Sequence, residues 1–162
     1  MITKIIGLII CFLLQASCRN YLIIFGVAPD FLILGLVLAV GKKNLLEGIL
    51  LGAGCGVVYD LLSYGAFGTG IFSFTLAGFV IAFLKKQVFS DNVISGVLIA
   101  LIVTLLNSLL ALLLVNFFYI GIDLLGELLR VALPVSIYTS LLLFLVVTIY
   151  YLSKGNVKKA FG

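Results

Sequence analysis

The stretch GILLGAGCGVVYDLLSYGAFGTG, residues 48–70, contains the pattern that decides the fold. Gly48, Gly52, Gly56 and Asp60 recur every fourth residue, so they share one face of a helix that ends in a carboxylate. Helices in a bilayer associate through close packing, because lipid tails are as apolar as leucine, and glycine lets two backbones approach. Each glycine also costs about 1 kcal/mol in helix propensity, so three on one face indicate a packing requirement. We predict that this face contacts another helix, within the chain or on a partner.

The composition is that of an integral membrane protein. The chain has 162 residues, of which 64% are hydrophobic and 10% charged, and its mean hydropathy is +1.40. Ordinary soluble domains carry about 25% charged residues. About 20 apolar residues cross a bilayer as a helix, so we predict a single-domain, all-α bundle of about six transmembrane helices. The predicted spans of this domain, 1–162, are residues 2–18, 29–41, 45–62, 69–84, 93–119 and 131–152.

The breaks between the apolar runs carry helix-start and turn signals. Pro29 and Asp30 open the second run, where proline suits the first helical turn and aspartate suits the positive end of the helix dipole. Gly65 and Gly68 lie in the predicted outer loop after the third run, because clustered glycines favour a turn. Residues 121–130 predict a short amphipathic segment at the interface before the sixth span.

The first apolar run, residues 2–18, has the character of a signal sequence. A lipoprotein cleavage box usually has leucine three residues before its cysteine, whereas here Gln15 holds that position before Cys18. We therefore expect an uncleaved first span.

Basic residues are distributed unequally between the two predicted sides of the membrane. With the N-terminus in the cytoplasm, eight lysines fall on the cytoplasmic side, and Arg19 and Arg130 fall outside. Cytoplasmic loops are enriched in lysine and arginine, so we predict that both termini are cytoplasmic. Because these lysines flank apolar runs, we interpret them as orientation signals and predict no nucleic-acid partner.

The residue types disfavour metal, cofactor and hydrolytic chemistry. The chain has no histidine, and Cys11, Cys18 and Cys55 match no zinc, haem or iron–sulfur spacing. Asp60 is the only carboxylate within the core of an apolar run, and an intramembrane hydrolase needs a paired acid and base or a nucleophile with its base. An intramembrane carboxylate is a functional candidate by default, and the alternative interpretation is a helix-end residue bonded to tyrosine or backbone groups.

Four features follow one another within residues 28–84: a Pro-Asp pair before an aliphatic run, a lysine-bearing hinge, a Gly-rich helix ending in YDLLS, and a Gly-x-x-Gly exit from Gly65 to Gly68. Together they resemble the bacterial rod shape-determining MreD family. The resemblance implies a non-enzymatic scaffold or regulator of cell-wall elongation in the plasma membrane, which acts through helix contacts with a bitopic MreC-like protein. It also implies an MreB-like actin, a glycosyltransferase and a transpeptidase as further, indirect partners.

A second hypothesis is the substrate-binding membrane subunit of a vitamin transporter of the energy-coupling-factor type. Those subunits also have about six helices, a similar length and basic flanks, and the MreD-like architecture could be similar to theirs. The chain contains no tryptophan or histidine and few outward polar residues, which disfavours a ligand pocket.

Overall fold

The computed structural model describes residues 2–18, 21–23, 26–41, 44–62, 68–87, 93–118 and 124–153. Within these ranges the regular structure is helical, and no β-strand occurs. The helices are α1 (Ile2–Cys18), α2 (Phe31–Ala39), α3 (Leu45–Leu62), α4 (Thr69–Gln87), α5 (Val93–Phe118), α6 (Leu124–Glu127) and α7 (Leu133–Ser153), with a π-helical turn at Leu128–Ala132. The predicted all-α membrane class is therefore confirmed.

Three helical stretches of the described chain are long and apolar enough to cross a bilayer: Thr69–Gln87, Val93–Leu114 and Leu128–Ser153. In α1 the apolar stretch is shorter, Lys4–Ser17. A hydrocarbon core of about 30 Å needs about 20 helical residues at 1.5 Å per residue. The three stretches contain 19, 22 and 26 residues, so each meets or approaches the length that a transmembrane helix needs.

The short helix α2 lies at the centre of the bundle. It packs against α1, α3, α4, α5 and α7, and eight of its nine residues are buried. Residues 29–41 are predicted to form a short span, and the nine helical residues within that range rise about 13.5 Å, less than half of the hydrocarbon core. A helix that is apolar on all sides is typically buried, as α2 is. The non-helical backbone at its ends can lie at membrane depth because the surrounding helices cover it.

Two helix pairs surround α2. Helices α3 and α4 form one closely packed pair, and α5 and α7 form the other, with α4 also contacting α5. In the second pair, a methyl group built on Gly96 would lie 3.7 Å from the side chain of Leu143, which is ordinary contact. The two pairs therefore differ. Helices α3 and α4 lie so close together that their contact requires glycine, whereas Gly96 leaves room for a side chain between α5 and α7.

The last helix begins before its predicted span. From Leu124 the chain stays helical through the π turn into α7, so the described part of the predicted interfacial segment belongs to the same helix. Pro134 has no N–H, and its ring crowds the carbonyl group of Arg130, four residues earlier. The N–H of Leu133 reaches back five residues to the carbonyl oxygen of Leu128, and this wider turn accommodates the proline.

Candidate functional site

The glycine face of α3 is in contact with α4. A methyl group built on Gly48, Gly52 or Gly56 would overlap backbone atoms of α4. At Gly52 the obstructing atom is the carbonyl oxygen of Phe74, and at Gly56 it is the Cα atom of Ile71, 2.5 Å away. Any side chain at these positions would push the two helices apart, so close backbone approach explains all three glycines.

The contact is reciprocal at one position of α4. A methyl group on Gly78 would overlap the carbonyl oxygen of Gly48 and lie 3.2 Å from the Cα atom of Gly52. Further along the pair, the rings of Tyr59 and Phe74 pack with their centroids 5.2 Å apart. The glycine face is therefore covered within the chain and is not a free surface for a partner.

Asp60 links the end of α3 to the beginning of α4. Its carboxylate accepts hydrogen bonds from the backbone N–H groups of Gly68 at 2.9 Å, Gly70 at 2.8 Å and Ile71 at 3.0 Å. The first N–H groups of a helix have no partner within it, and a carboxylate also suits the positive end of the helix dipole. Asp60 is 4% exposed, so protein groups, including these three N–H groups, take the place of water around its carboxylate.

Two glycines at the start of α4 make room for this arrangement. Gly68 has φ of +104°, a conformation that side chains disfavour. A methyl group on Gly70 would overlap the Asp60 carboxylate. Gly65, the other glycine predicted in this loop, lies outside the described residues.

Pro29 and Asp30 anchor the beginning of the central helix. Pro29 is fully buried, and the Asp30 carboxylate accepts hydrogen bonds from the N–H groups of Leu32 at 3.1 Å and Ile33 at 3.2 Å. The Asp30 N–H donates to the hydroxyl oxygen of Thr139 in α7 at 2.9 Å. This pair of residues therefore caps α2 and ties it to α7.

The neighbouring helices hold both ends of α2. At the beginning, the N–H of Phe31 donates to the amide oxygen of Gln15 in α1 at 2.8 Å. At the end, the Lys85 ammonium group of α4 donates to the carbonyl oxygens of Val37 and Val40, the latter at 2.8 Å. These contacts satisfy backbone groups that a short buried helix would otherwise leave unpaired.

The residues that hold α2 from outside are not predicted by the sequence patterns above. Gln15 and Thr139 are polar residues within apolar runs, a signal that could have marked them as partners of another helix. Lys85 was interpreted only as an orientation signal, because a flanking lysine and a capping lysine look alike in sequence.

A salt bridge joins α1 to the start of α3. The Lys4 ammonium group lies 2.5 Å from the Glu47 carboxylate, and both side chains remain partly exposed. Across the described ranges, no cluster of three or more histidine, cysteine, aspartate or glutamate residues could hold a metal ion. The polar groups of this site therefore join helices. The two capping carboxylates, Asp30 and Asp60, already accept hydrogen bonds from backbone N–H groups.

The family described as rod shape-determining protein MreD has a model that matches residues 1–155. No curated protein and no solved structure matches the chain. The family match extends well beyond residues 28–84, and it includes both helix pairs and the central helix.

Proposed function

This chain belongs to the MreD family of rod shape-determining membrane proteins, and we propose that it acts as a non-enzymatic scaffold or regulator of the bacterial cell-wall elongation complex. The observation that carries the proposal is the family match over residues 1–155. A role in rod shape requires contact with the proteins that direct wall synthesis. We infer that a bitopic MreC-like protein is the direct partner, with MreB-like, glycosyltransferase and transpeptidase components further away.

The environment of the buried carboxylate favours a structural role over a catalytic one. General acid–base catalysis needs a side chain that can reach a substrate proton. The carboxylate of Asp60 already accepts three backbone N–H groups and is 4% exposed. In this proposal Asp60 holds the helix pair together, and binding energy for partners comes from packed helix faces.

The proposed setting is the bacterial plasma membrane, with both termini in the cytoplasm. The distribution of basic residues supports this orientation, because cytoplasmic loops are enriched in lysine and arginine. Lys4 and Lys85 then lie on the cytoplasmic side. The beginning of α2 and the Asp60 cap lie towards the outer side.

Affinity recovery from a rod-shaped host tests the scaffold proposal. The tagged protein is expressed at its native level, extracted in mild detergent and compared with an equally tagged, unrelated polytopic membrane protein. We expect selective recovery of the host's MreC-like protein. Recovery of a paired ATPase transducer would favour the vitamin transporter, and recovery of neither would contradict the proposal.

A further inference from the structure

The contact between α5 and α7 contains a polar seam. Of the seven buried polar residues in the described part of the chain, five lie on these two helices and form the seam: Thr104, Asn107, Ser136, Thr139 and Ser140. Each of the five is at most 8% exposed. Because water is excluded at membrane depth, a polar side chain there needs a hydrogen-bond partner within the protein or an ordered water.

The four hydroxyl groups of the seam have partners. Three donate to a carbonyl oxygen in the preceding turn of their own helix, at 2.6, 2.8 and 2.8 Å: those of Thr104, Ser136 and Ser140. The fourth, that of Thr139, accepts the N–H of Asp30. A hydroxyl group has one hydrogen and two lone pairs, so the first three can still accept a hydrogen bond but have no further hydrogen to donate.

Asn107 is the exception in the seam. Its side-chain oxygen Oδ1 is buried, and among the described residues it has no hydrogen-bond partner. An amide oxygen in this position has lost its hydrogen bonds to water without replacing them. The group that Oδ1 lacks is therefore a donor, and the hydroxyl groups of Thr104, Ser136 and Ser140 have already used their hydrogens.

The register of the two helices places Asn107 opposite Ala132. Only residues 119–123 separate α5 from the helix that follows it, and so short a connection is typical of antiparallel neighbours. A methyl group built on Gly96 would lie 3.7 Å from the side chain of Leu143, which fixes the register. Asn107 follows Gly96 by as many residues as Ala132 precedes Leu143, so the second pair lies about 16.5 Å further along both helices.

The amide of Asn107 then extends towards Ser136. Side chains in a helix lean towards its N-terminus, so the amide reaches the level of Thr104, one turn earlier in α5. In the antiparallel register, the same step along α7 leads from Ala132 to Ser136. Both of these α7 residues have short side chains, whereas the larger Leu143 fills the contact beside Gly96. At normal helix spacing, the small residues leave room for a water-sized group.

We propose that one buried water molecule binds between Asn107 and Ser136 and bridges α5 to α7. The water donates one hydrogen to Asn107 Oδ1 and the other to the hydroxyl oxygen of Ser136. None of the five residues of the polar seam carries a formal charge, so a neutral donor fits this site better than a cation. Buried waters occur where otherwise unpaired polar groups converge, as they do here.

This site gives the second helix pair a different kind of contact from the first. Helices α3 and α4 are joined by close backbone packing, whereas α5 and α7 are joined in part through a hydrogen-bonded water. Water-mediated hydrogen bonds are nearly as favourable as direct ones, so the water is part of the folded structure. The proposal does not depend on the scaffold role.

An experimental structure of the wild-type protein in a lipid environment, at a resolution that shows ordered waters, tests the proposal directly. We expect a water peak within about 2.5–3.0 Å of both Asn107 Oδ1 and Ser136 Oγ, the range for hydrogen bonds between oxygen atoms. The absence of a peak there, or a direct hydrogen bond between Asn107 and Ser136, would overturn the proposal.

A double-mutant cycle measures the bridge in solution. Ser136→Ala is made in the wild-type chain and in Asn107→Leu, whose side chain has a similar shape but no oxygen, and unfolding by SDS is followed in mild-detergent micelles. We expect Ser136→Ala to raise the unfolding equilibrium constant by about three- to tenfold more in the wild-type chain than in Asn107→Leu, because the water bridge is lost only in the former. Equal effects in both chains would contradict the bridge.

Thr148→Val is the matched control for the cycle. Thr148 also lies in α7 and also has a buried oxygen without a partner among the described residues, but it is about 18 Å along the helix from Ser136. Its replacement should change the unfolding constant by the same factor in both chains. If Asn107→Leu does not fold, Asn107→Ala takes its place in the cycle, and the wild-type structure decides the proposal without any variant.

Discussion

The carboxylate of Asp60, in the last turn of α3, accepts a 2.8 Å hydrogen bond from the backbone N–H of Gly70 at the start of α4. The same two helices approach each other closely along Gly48, Gly52 and Gly56. Residues at every fourth position of α3 thus form both the packing face of the pair, through the three glycines, and the cap at its end, through Asp60. The pair packs beside the central helix.

Replacement of Asp60 by alanine should destabilise the protein strongly. It removes the acceptor for three N–H groups in a buried position, and hydrogen bonds to a charged group contribute about 1.5–3 kcal/mol. We expect unfolding by SDS in mild-detergent micelles to occur at a clearly lower SDS fraction. Asp60→Asn, which keeps one acceptor oxygen, should lie between alanine and wild type. Equal stability of all three proteins would refute the capping role.

Gly52→Leu and Gly54→Leu form a matched pair on one helix. The first places a side chain where the carbonyl oxygen of Phe74 lies, and the second places it in open space. Overpacking typically costs about 1–3 kcal/mol, so Gly52→Leu should unfold at a lower SDS fraction than wild type, while Gly54→Leu should not. The same unfolding assay measures both. If the two variants lost equal stability, close packing on α4 would not explain the glycine face.

Lys85→Met tests the cap at the end of α2, with Lys86→Met as the control. Methionine keeps an apolar stem of similar length, but it leaves the carbonyl oxygens of Val37 and Val40 without their ammonium donor. We expect Lys85→Met to lose about 1–3 kcal/mol. Lys86 is exposed, so its replacement should have little effect. Faster hydrogen exchange at the last N–H groups of α2 should accompany the first change only.

The sequence predicted local features better than the partners of those features. The spacing of Gly48, Gly52 and Gly56 predicted a close helix contact, because periodicity on one helix is visible in one segment. That α4 is the partner depends on tertiary packing, which no single segment encodes. Thr104 and Asn107 are polar residues within the apolar run of α5, and they are 0% and 8% exposed, as expected for polar side chains that avoid lipid.

The central helix was the feature hardest to predict. The nine residues of α2 are uniformly apolar, and hydropathy is equally high for a transmembrane span and for a half-length helix covered by protein. The contacts that distinguish these cases join Gln15 to Phe31 and Lys85 to Val40, across 16 and 45 residues of sequence. Each contact becomes visible only when the helices are assembled.

The proposed orientation predicts opposite accessibility for two single cysteines in a cysteine-free background. A cysteine at Gly155 should react with a membrane-impermeant maleimide only after permeabilisation, because the proposed orientation puts the C-terminus and eight lysines on the cytoplasmic side. A cysteine at Phe67 should react in intact cells. Labelling of intact cells at Gly155, or labelling at Phe67 only after permeabilisation, would contradict the orientation.

Depletion of the protein in a rod-shaped host tests the scaffold role most directly, with cell shape and vitamin uptake recorded in the same culture. Complementation with the wild-type chain controls for effects of the depletion itself. We predict that cells become round on depletion, retain normal vitamin uptake and return to rods when the wild-type chain is expressed. Cells that remain rod-shaped but lose vitamin uptake would contradict the scaffold role and favour a transporter.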